Sequence, residues 1–287
     1  MLKESLWMKP TEDQKKAFAE EGGFVARGFL NPDQLKKARA CFDWGIANPG
    51  RHADTVFPGT DHEHVIHNSN RGAYENGIKD LIHEAHFADY ASELWGSEHV
   101  WYFSEELFMK KGGKAGDSPW HQDTSVMPTR GAHWANFWIS FDALPKKNCL
   151  SLVRGSDKGP LYNGTDYSDP DDPTKPLHPH SDLPRLPEIS ADLARDPSSW
   201  DVIAWDLEPG DVLVFHPGCL HGGAPVDSNT PDRHTLVLRF FGDEAYYRPL
   251  PNTFEHTAAG MGDKAWGYLD SQVEGEPFRS KKHPQFR

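Results

Sequence analysis

Trp134-Ala135-Asn136-Phe137-Trp138-Ile139-Ser140-Phe141-Asp142-Ala143-Leu144 reads as a β-strand. Phe137, Ile139 and Phe141 fall on one face and Asn136, Trp138 and Ser140 on the other, the period of two that a pleated backbone imposes. Outward from this stretch, runs of strand character recur at 100–110, 149–153, 202–205, 212–216 and 235–241. Turn chemistry such as Pro209-Gly210-Asp211 separates them. Successive strands without intervening helices predict an antiparallel sandwich or barrel.

Upstream the pattern is helical with strand inserts. Thr11, with Gln14 three residues on, has capping-box spacing, and Gly22-Gly23 stops the helix that follows. Residues 24–30 predict a strand. Asn31-Pro32 opens a second helix that carries Leu35, Ala38, Phe42 and Ile46 at helical spacing. Residues 78–95 predict a third, ended by Gly96. Between 157 and 200 lies a segment rich in Pro, Asp and His, with the length of a lid or binding loop. Residues 244–287 read as an irregular tail anchored by Trp266 and Tyr268.

Composition removes several function classes. The 287 residues carry 30 basic and 43 acidic side chains, a net charge of −13. A general nucleic-acid binder needs a basic face instead. No run approaches the ~18–20 apolar residues of a membrane span, and the polar start at 1–16 is not that of a signal peptide. Cys41, Cys149 and Cys219 lack CxxC spacing, which argues against a disulfide framework or a Cys-rich zinc site. The expected location is therefore cytoplasmic. Length alone allows one or two domains.

The chemistry concentrates in two places. In Trp120-His121-Gln122-Asp123, residues two apart on a strand project together, so His121 and Asp123 can share a metal ion. By itself the triplet equally describes a histidine hydrogen-bonded to an aspartate. The second place runs from Glu208-Pro209-Gly210-Asp211 through His216 to His221-Gly222-Gly223, with Arg233 twelve residues further on. A histidine followed by glycines suits a ligand presented at a strand end. Two histidines, one carboxylate and a nearby arginine form the inventory of a non-haem Fe(II) oxygenase, whose triad leaves positions open for co-substrate and O2.

The chain resembles the phytanoyl-CoA dioxygenase (PhyH) family of Fe(II)/2-oxoglutarate-dependent oxygenases, which includes ectoine hydroxylase. The resemblance spans roughly residues 11–241. It rests on Phe18 with Gly23-Phe24-Val25-Ala26-Arg27-Gly28-Phe29-Leu30, on Trp120-His121-Gln122-Asp123 and on Trp138-Ile139-Ser140-Phe141-Asp142-Ala143-Leu144. Asn148-Cys149-Leu150, Gly155-Ser156, Pro209 to His216, His221-Gly222 and Arg233 complete it in order. The resemblance implies a mainly β protein with a double-stranded β-helix (jelly-roll, cupin-like) core behind N-terminal helices. It implies iron held by His121, Asp123 and His221. It also implies 2-oxoglutarate chelating that iron, with its far carboxylate on Arg233, a role a bidentate guanidinium suits.

His216, between Phe215 and Pro217, looks packed and is the lesser rival of His221. Arg239 shares the parity of Arg233 but lies ~20 Å along the strand at about 3.3 Å per residue, so only one of them reaches the co-substrate. Arg239 is expected in an ion pair or against substrate. Many relatives carry a hydroxyl residue two positions after the distal histidine, where this chain has Gly223. Thr235, on the Arg233 face, is the candidate replacement. Trp138 aligns with a family tryptophan near the co-substrate and reads equally as core. Gln122 is expected to be structural. Asp123 favours hydroxylation over halogenation, because halogenating relatives place a small residue there.

The expected organisation is one domain over 1–287, with a helical buttress at about 10–96 and a jelly-roll core at about 100–242. A lid-like insert at about 157–200 and an irregular tail at 244–287 complete it. The expected partner is a small-molecule substrate, with neither nucleic acid nor membrane, and either a monomer or a homodimer. Asn136, Trp138 and Ser140 are candidate pocket residues, and His178, His180 and Arg185 read first as solvated loop residues and second as anion contacts. The chemistry expected is C–H hydroxylation, with O2 as second co-substrate and succinate and CO2 released. A different metal-dependent cupin-type enzyme and a non-catalytic ligand binder are the alternatives.

Overall fold

Gln14 N donates to Thr11 Oγ1 at 3.2 Å and Thr11 N to Gln14 Oε1 at 2.9 Å, so helix α1 (Glu12–Glu21) opens on a complete capping box. The computed structural model describes residues 7–50, 53–60, 63–68, 71–113, 116–169, 171–226, 231–251 and 272–287. Helix α2 (Pro32–Ala47) opens in the same way on Asn31 and Gln34. Between them, β1 (Gly23–Ala26) is shorter than the expected 24–30, because Gly28 turns the chain at φ 60°.

Two strands that sequence reading did not anticipate follow, β2 (Ala53–Val56) and β3 (His64–Asn68). The helix expected over 78–95 is a broken series instead. After the short α3 (Arg71–Ala73) come α4 (Lys79–Glu84) and α5 (Phe87–Trp95). His86 breaks the run at φ 57°, and its Nδ1 lies 2.8 Å from Asp89 Oδ2, which fixes a new helix start.

The β region comprises β4 (Val100–Lys110), β5 (Ser118–His121), β6 (Thr129–Arg130), β7 (Trp134–Ser140) and β8 (Leu150–Val153). After α6 (Ile189–Arg195) it continues with β9 (Val202–Ile203), β10 (Val212–Phe215), β11 (His221–Gly223), β12 (Arg233–Gly242) and β13 (Tyr246–Tyr247). One antiparallel sheet has the order β1-β10-β7-β12-β4-β3-β2 and a second the order β5-β11-β8-β9. Strands β13 and β6 form a short separate pair. This is a mainly β, jelly-roll core with N-terminal helices.

The large sheet is covered on both sides, which is why β7 is buried along its whole length. Phe137 and Ile139 pack with Val214, Leu236 and Leu238 against helical residues such as Phe42, Leu81, Phe87 and Tyr90. Trp138, Leu213 and Val237 face the other way, onto Leu150 and Leu152 of the second sheet. The alternation in the opening stretch thus separates two interiors, a helix-packed one and one between the sheets. Burying a large apolar side chain contributes roughly 1.5–3 kcal/mol, so both layers anchor the strands that carry the site. Trp266 and Tyr268, the expected tail anchors, lie outside the described residues.

Candidate active site

Strand β11 pairs antiparallel with β5 so that His221 sits directly opposite His121, with ring centroids 4.2 Å apart. β5 ends at His121, and Asp123 begins a single tight turn over Asp123–Ser125. The turn, rather than a continuing strand, brings the carboxylate round beside the imidazole. His121 Nδ1 lies 2.8 Å from Pro119 O and His221 Nδ1 lies 2.9 Å from Cys219 O. A carbonyl only accepts, so both Nδ1 atoms carry hydrogen, and each imidazole in its neutral form keeps a free lone pair on Nε2. Those Nε2 atoms are 3.4 and 3.6 Å from Asp123 Oδ1. One ligand atom from each of the three residues lies within 4.8 Å of the others. Two neutral imidazoles and one carboxylate oxygen facing a common point are a fitting donor set for a divalent iron.

The second oxygen of Asp123 is already engaged. Asn136 Nδ2 donates to Oδ2 at 2.6 Å and Arg239 reaches it at 3.3 Å. Arg239 also pairs with buried Glu106. Burial opposes ionisation of Asp123, but Arg239 and the imidazoles outweigh it and hold the carboxyl well below the usual range. Burial likewise opposes the Arg239 charge, and Glu106 with Asp123 more than restores it. Burial dominates at Glu106 and raises its carboxyl. The ion pair foreseen for Arg239 is therefore made, with the acid of the metal cluster as one partner.

A cavity of about 120 Å3 extends from this cluster between the sheets. Its wall takes alternate residues of two paired strands, Ser104, Glu106, Phe108 and Lys110 from β4 and Arg233, Thr235, Val237 and Arg239 from β12. Asn136 and Trp138 of β7 join them. Arg233 donates to Ala224 O at 2.6 Å and to Asn148 O at 3.2 Å. Burial pushes its guanidinium down to about 10, still charged at neutral pH. Thr235 lies on the same face, one pleat along, and Trp138 is both a wall residue and part of the inter-sheet core.

Backbone shape accounts for the departure at Gly223. Its φ is 72°, a left-handed conformation in which a serine or threonine is strained. Gly222 is needed for close approach, because a Cβ there would lie 2.8 Å from Trp120 Cα. His216 is turned away from the cluster, with Nε2 2.9 Å from Gly131 O and Nδ1 accepting from Gly218 N. Gln122 is structural, donating to Gly218 O at 2.8 Å and accepting from Tyr162 N at 2.9 Å.

The anion contacts weighed as a second reading for the 157–200 segment are not made at the cavity. His178 is buried against Ser125 O, His180 is exposed, and Arg185 pairs with Asp172. None of them lines the cavity, because the segment presents Thr165 and Tyr167 there instead. Sequence reading also passed over Glu106 and Lys110. The available signal was polar residues at alternate positions of an otherwise apolar strand, since charged side chains are seldom buried without a purpose.

Fold and site together define a jelly-roll protein with a His–Asp–His cluster at the mouth of an inter-sheet cavity. Residues 18–235 match the phytanoyl-CoA dioxygenase (PhyH) family, and the chain belongs to that family. No curated protein matches its sequence significantly. Among solved structures it is similar to the epimerase SnoN in complex with Fe3+, alpha ketoglutarate and nogalamycin RO, at 16% identity and TM-score 0.66 over 96% of this chain and 98% of that one. The alpha ketoglutarate dependent carbocyclase SnoK from nogalamycin biosynthesis is similar at 17% and 0.66, over 97% of each chain. EctD from S. alaskensis is similar at 16% and 0.59, over 87% of this chain and 86% of that one. At such identities the likeness is one of fold. Among the described residues, no helix is long and apolar enough to cross a membrane.

Proposed function

We propose that this protein is an Fe(II)- and 2-oxoglutarate-dependent dioxygenase that hydroxylates a C–H bond of a small organic substrate. The observation that carries this reading is the convergence of His121, Asp123 and His221 at a cavity that also holds the buried cation Arg233. The family membership and the cofactors of SnoN support it. When bound, iron with 2-oxoglutarate supplies O2 activation and C–H oxidation, with release of succinate and CO2.

The residues have separable tasks in this reading. His121 and His221 offer Nε2, and Asp123 offers Oδ1. Arg233 takes the far carboxylate of the co-substrate, with Thr235 and Trp138 beside it. Arg239 does not compete for that carboxylate, because Glu106 and Asp123 already neutralise it. Phe103, Val126, Met127 and Tyr167 give the cavity an apolar wall that excludes water and fits an organic substrate body. Asp123 fills the position that a halide would need, which favours hydroxylation.

The expected result with purified protein is succinate formation that requires Fe(II), 2-oxoglutarate and O2 together. It should fall further in His221→Ala than the roughly 10–100-fold that losing a partner outside the ligand set costs. Succinate release that is unchanged in that variant contradicts the proposal.

A further inference from the structure

A second cleft, of about 580 Å3, lies on the other side of the turn that carries Asp123. His121, Asp123 and Ser125 face the inter-sheet cavity, whereas Gln122 and Thr124 face this cleft, so the two lie back to back. Among the described residues, none lines both. One wall is the pair of strands β6 and β13, in which Tyr246 sits opposite Arg130. Arg248 N donates to Pro128 O at 3.1 Å, which carries the pairing two residues further. Opposed residues and those two apart share a face, so Arg130, Tyr246 and Arg248 present one surface to the cleft. Helices α1 and α5 contribute Lys15, Phe18, Leu94 and Trp95, and the turn at Ser156–Lys158 contributes Asp157 and Lys158.

The charges around this cleft do not balance. Lys15 pairs with Glu12 at 2.8 Å, and Lys158 lies 3.8 Å from Asp157. Among the described residues, Arg130 and Arg248 have no carboxylate within ion-pair distance. Arg130 uses Nη1 alone, on Met127 O at 2.9 Å and Thr129 O at 2.6 Å. Its Nε is buried without a hydrogen-bond partner among the described residues, and so is the indole Nε1 of Trp95. Burial, then neighbouring Arg248, pushes the Arg130 guanidinium down to about 10, still charged at neutral pH. Unsatisfied donors and two adjacent uncompensated cations around one opening are what an acceptor-rich anion satisfies.

We propose that this cleft is a second binding site, separate from the reaction cavity, for an organic phosphate. Two unpaired guanidinium groups match the charge of roughly −2 and the several acceptor oxygens of a phosphate monoester. A single carboxylate neutralises only one of them. Phe18, Leu94, Trp95 and Tyr246 supply apolar and aromatic surface for the body that carries the phosphate. The volume also falls within the about 300–1,000 Å3 of small-molecule sites.

The test is calorimetric titration of the metal-loaded protein with phenyl phosphate, with inorganic phosphate and benzoate as comparisons. One phenyl phosphate is expected per chain, bound about tenfold or more tighter than either comparison. Arg130→Gln and Arg248→Gln are each expected to weaken it about tenfold or more, the loss of one charge-assisted contact. Arg233→Gln, in the other cavity, is expected to leave it unchanged. Arg248 is exposed, so its variant decides the matter if either of the others is unstable. Unchanged affinity in Arg248→Gln, or a loss in Arg233→Gln, overturns the proposal. Benzoate bound as tightly as phenyl phosphate overturns the phosphate assignment, and inorganic phosphate bound as tightly overturns the organic body. No phenyl phosphate binding by the wild type at millimolar concentration overturns the site itself. None of these outcomes bears on the 2-oxoglutarate reading.

Discussion

The two oxygens of Asp123 have different surroundings. Oδ1 faces both imidazole Nε2 atoms, whereas Oδ2 is occupied by Asn136 and Arg239. A carboxylate held this way offers a metal one oxygen in a fixed direction. Partners outside the ligand set typically contribute 10–100-fold to metal affinity. Asn136→Ala is thus expected to weaken Co(II) or Mn(II) binding about 10–100-fold, with the stoichiometry kept at one. Metal titration followed by absorbance or calorimetry reads this directly, and an unchanged Kd would mean that Asn136 does not position the carboxylate. Strand parity alone places Asn136 on the pocket face. Its contact with Asp123 was not legible, because it depends on a tight turn thirteen residues upstream.

At the level of elements, the turn before β10 ties the two sides of the large sheet's edge together. Asp211 accepts from Gly28 N at 2.8 Å, from Glu208 N at 3.1 Å and from Arg27 at 2.6 Å. Burial works against its charge, but these donors outweigh burial and lower the carboxyl. A lowered carboxyl stabilises the fold above its unfolded value of about 4 and loses that contribution as pH falls through the folded value. Asp211→Ala is expected to cost ~1–3 kcal/mol in urea unfolding at pH 7, mostly from the two backbone donors left unsatisfied. Half-exposed Arg27 adds little, because water screens its pair. The gap between variant and wild type should narrow below pH 4, and a gap that stays constant with pH would contradict the assignment.

The same scale explains what could be read ahead of the structure. Both capping boxes and the long strands β4, β7 and β12 were legible because their signals are local: a cap three residues from its partner, or a period of two sustained over a long run. β2 and β3 were not, since each has at most five residues and β3, His-Val-Ile-His-Asn, puts a histidine and an aliphatic side chain on each face and so shows no period of two. The break at His86 has no glycine or proline to mark it. The metal cluster was legible from motif order, whereas Lys110 and Glu106 were not. Their meaning arises only when β4 pairs with β12, more than a hundred residues away.

Across the whole molecule, charge and architecture divide the work. The chain is acidic overall at −13, yet the inter-sheet cavity concentrates buried cations on one wall. Helices cover the back of the large sheet and the second sheet closes its front, so the site lies between two packed layers rather than on a flexible surface. Catalytic geometry tolerates only ~0.5 Å of slack, which such support provides. The proposed account stands on iron and 2-oxoglutarate meeting at His121, Asp123 and His221. The most direct test is the visible spectrum of the anaerobic protein mixed with Fe(II) and 2-oxoglutarate. The account predicts a weak charge-transfer band that needs all three components and disappears in His121→Ala. No band in the wild type, or the same band in His121→Ala, would contradict it.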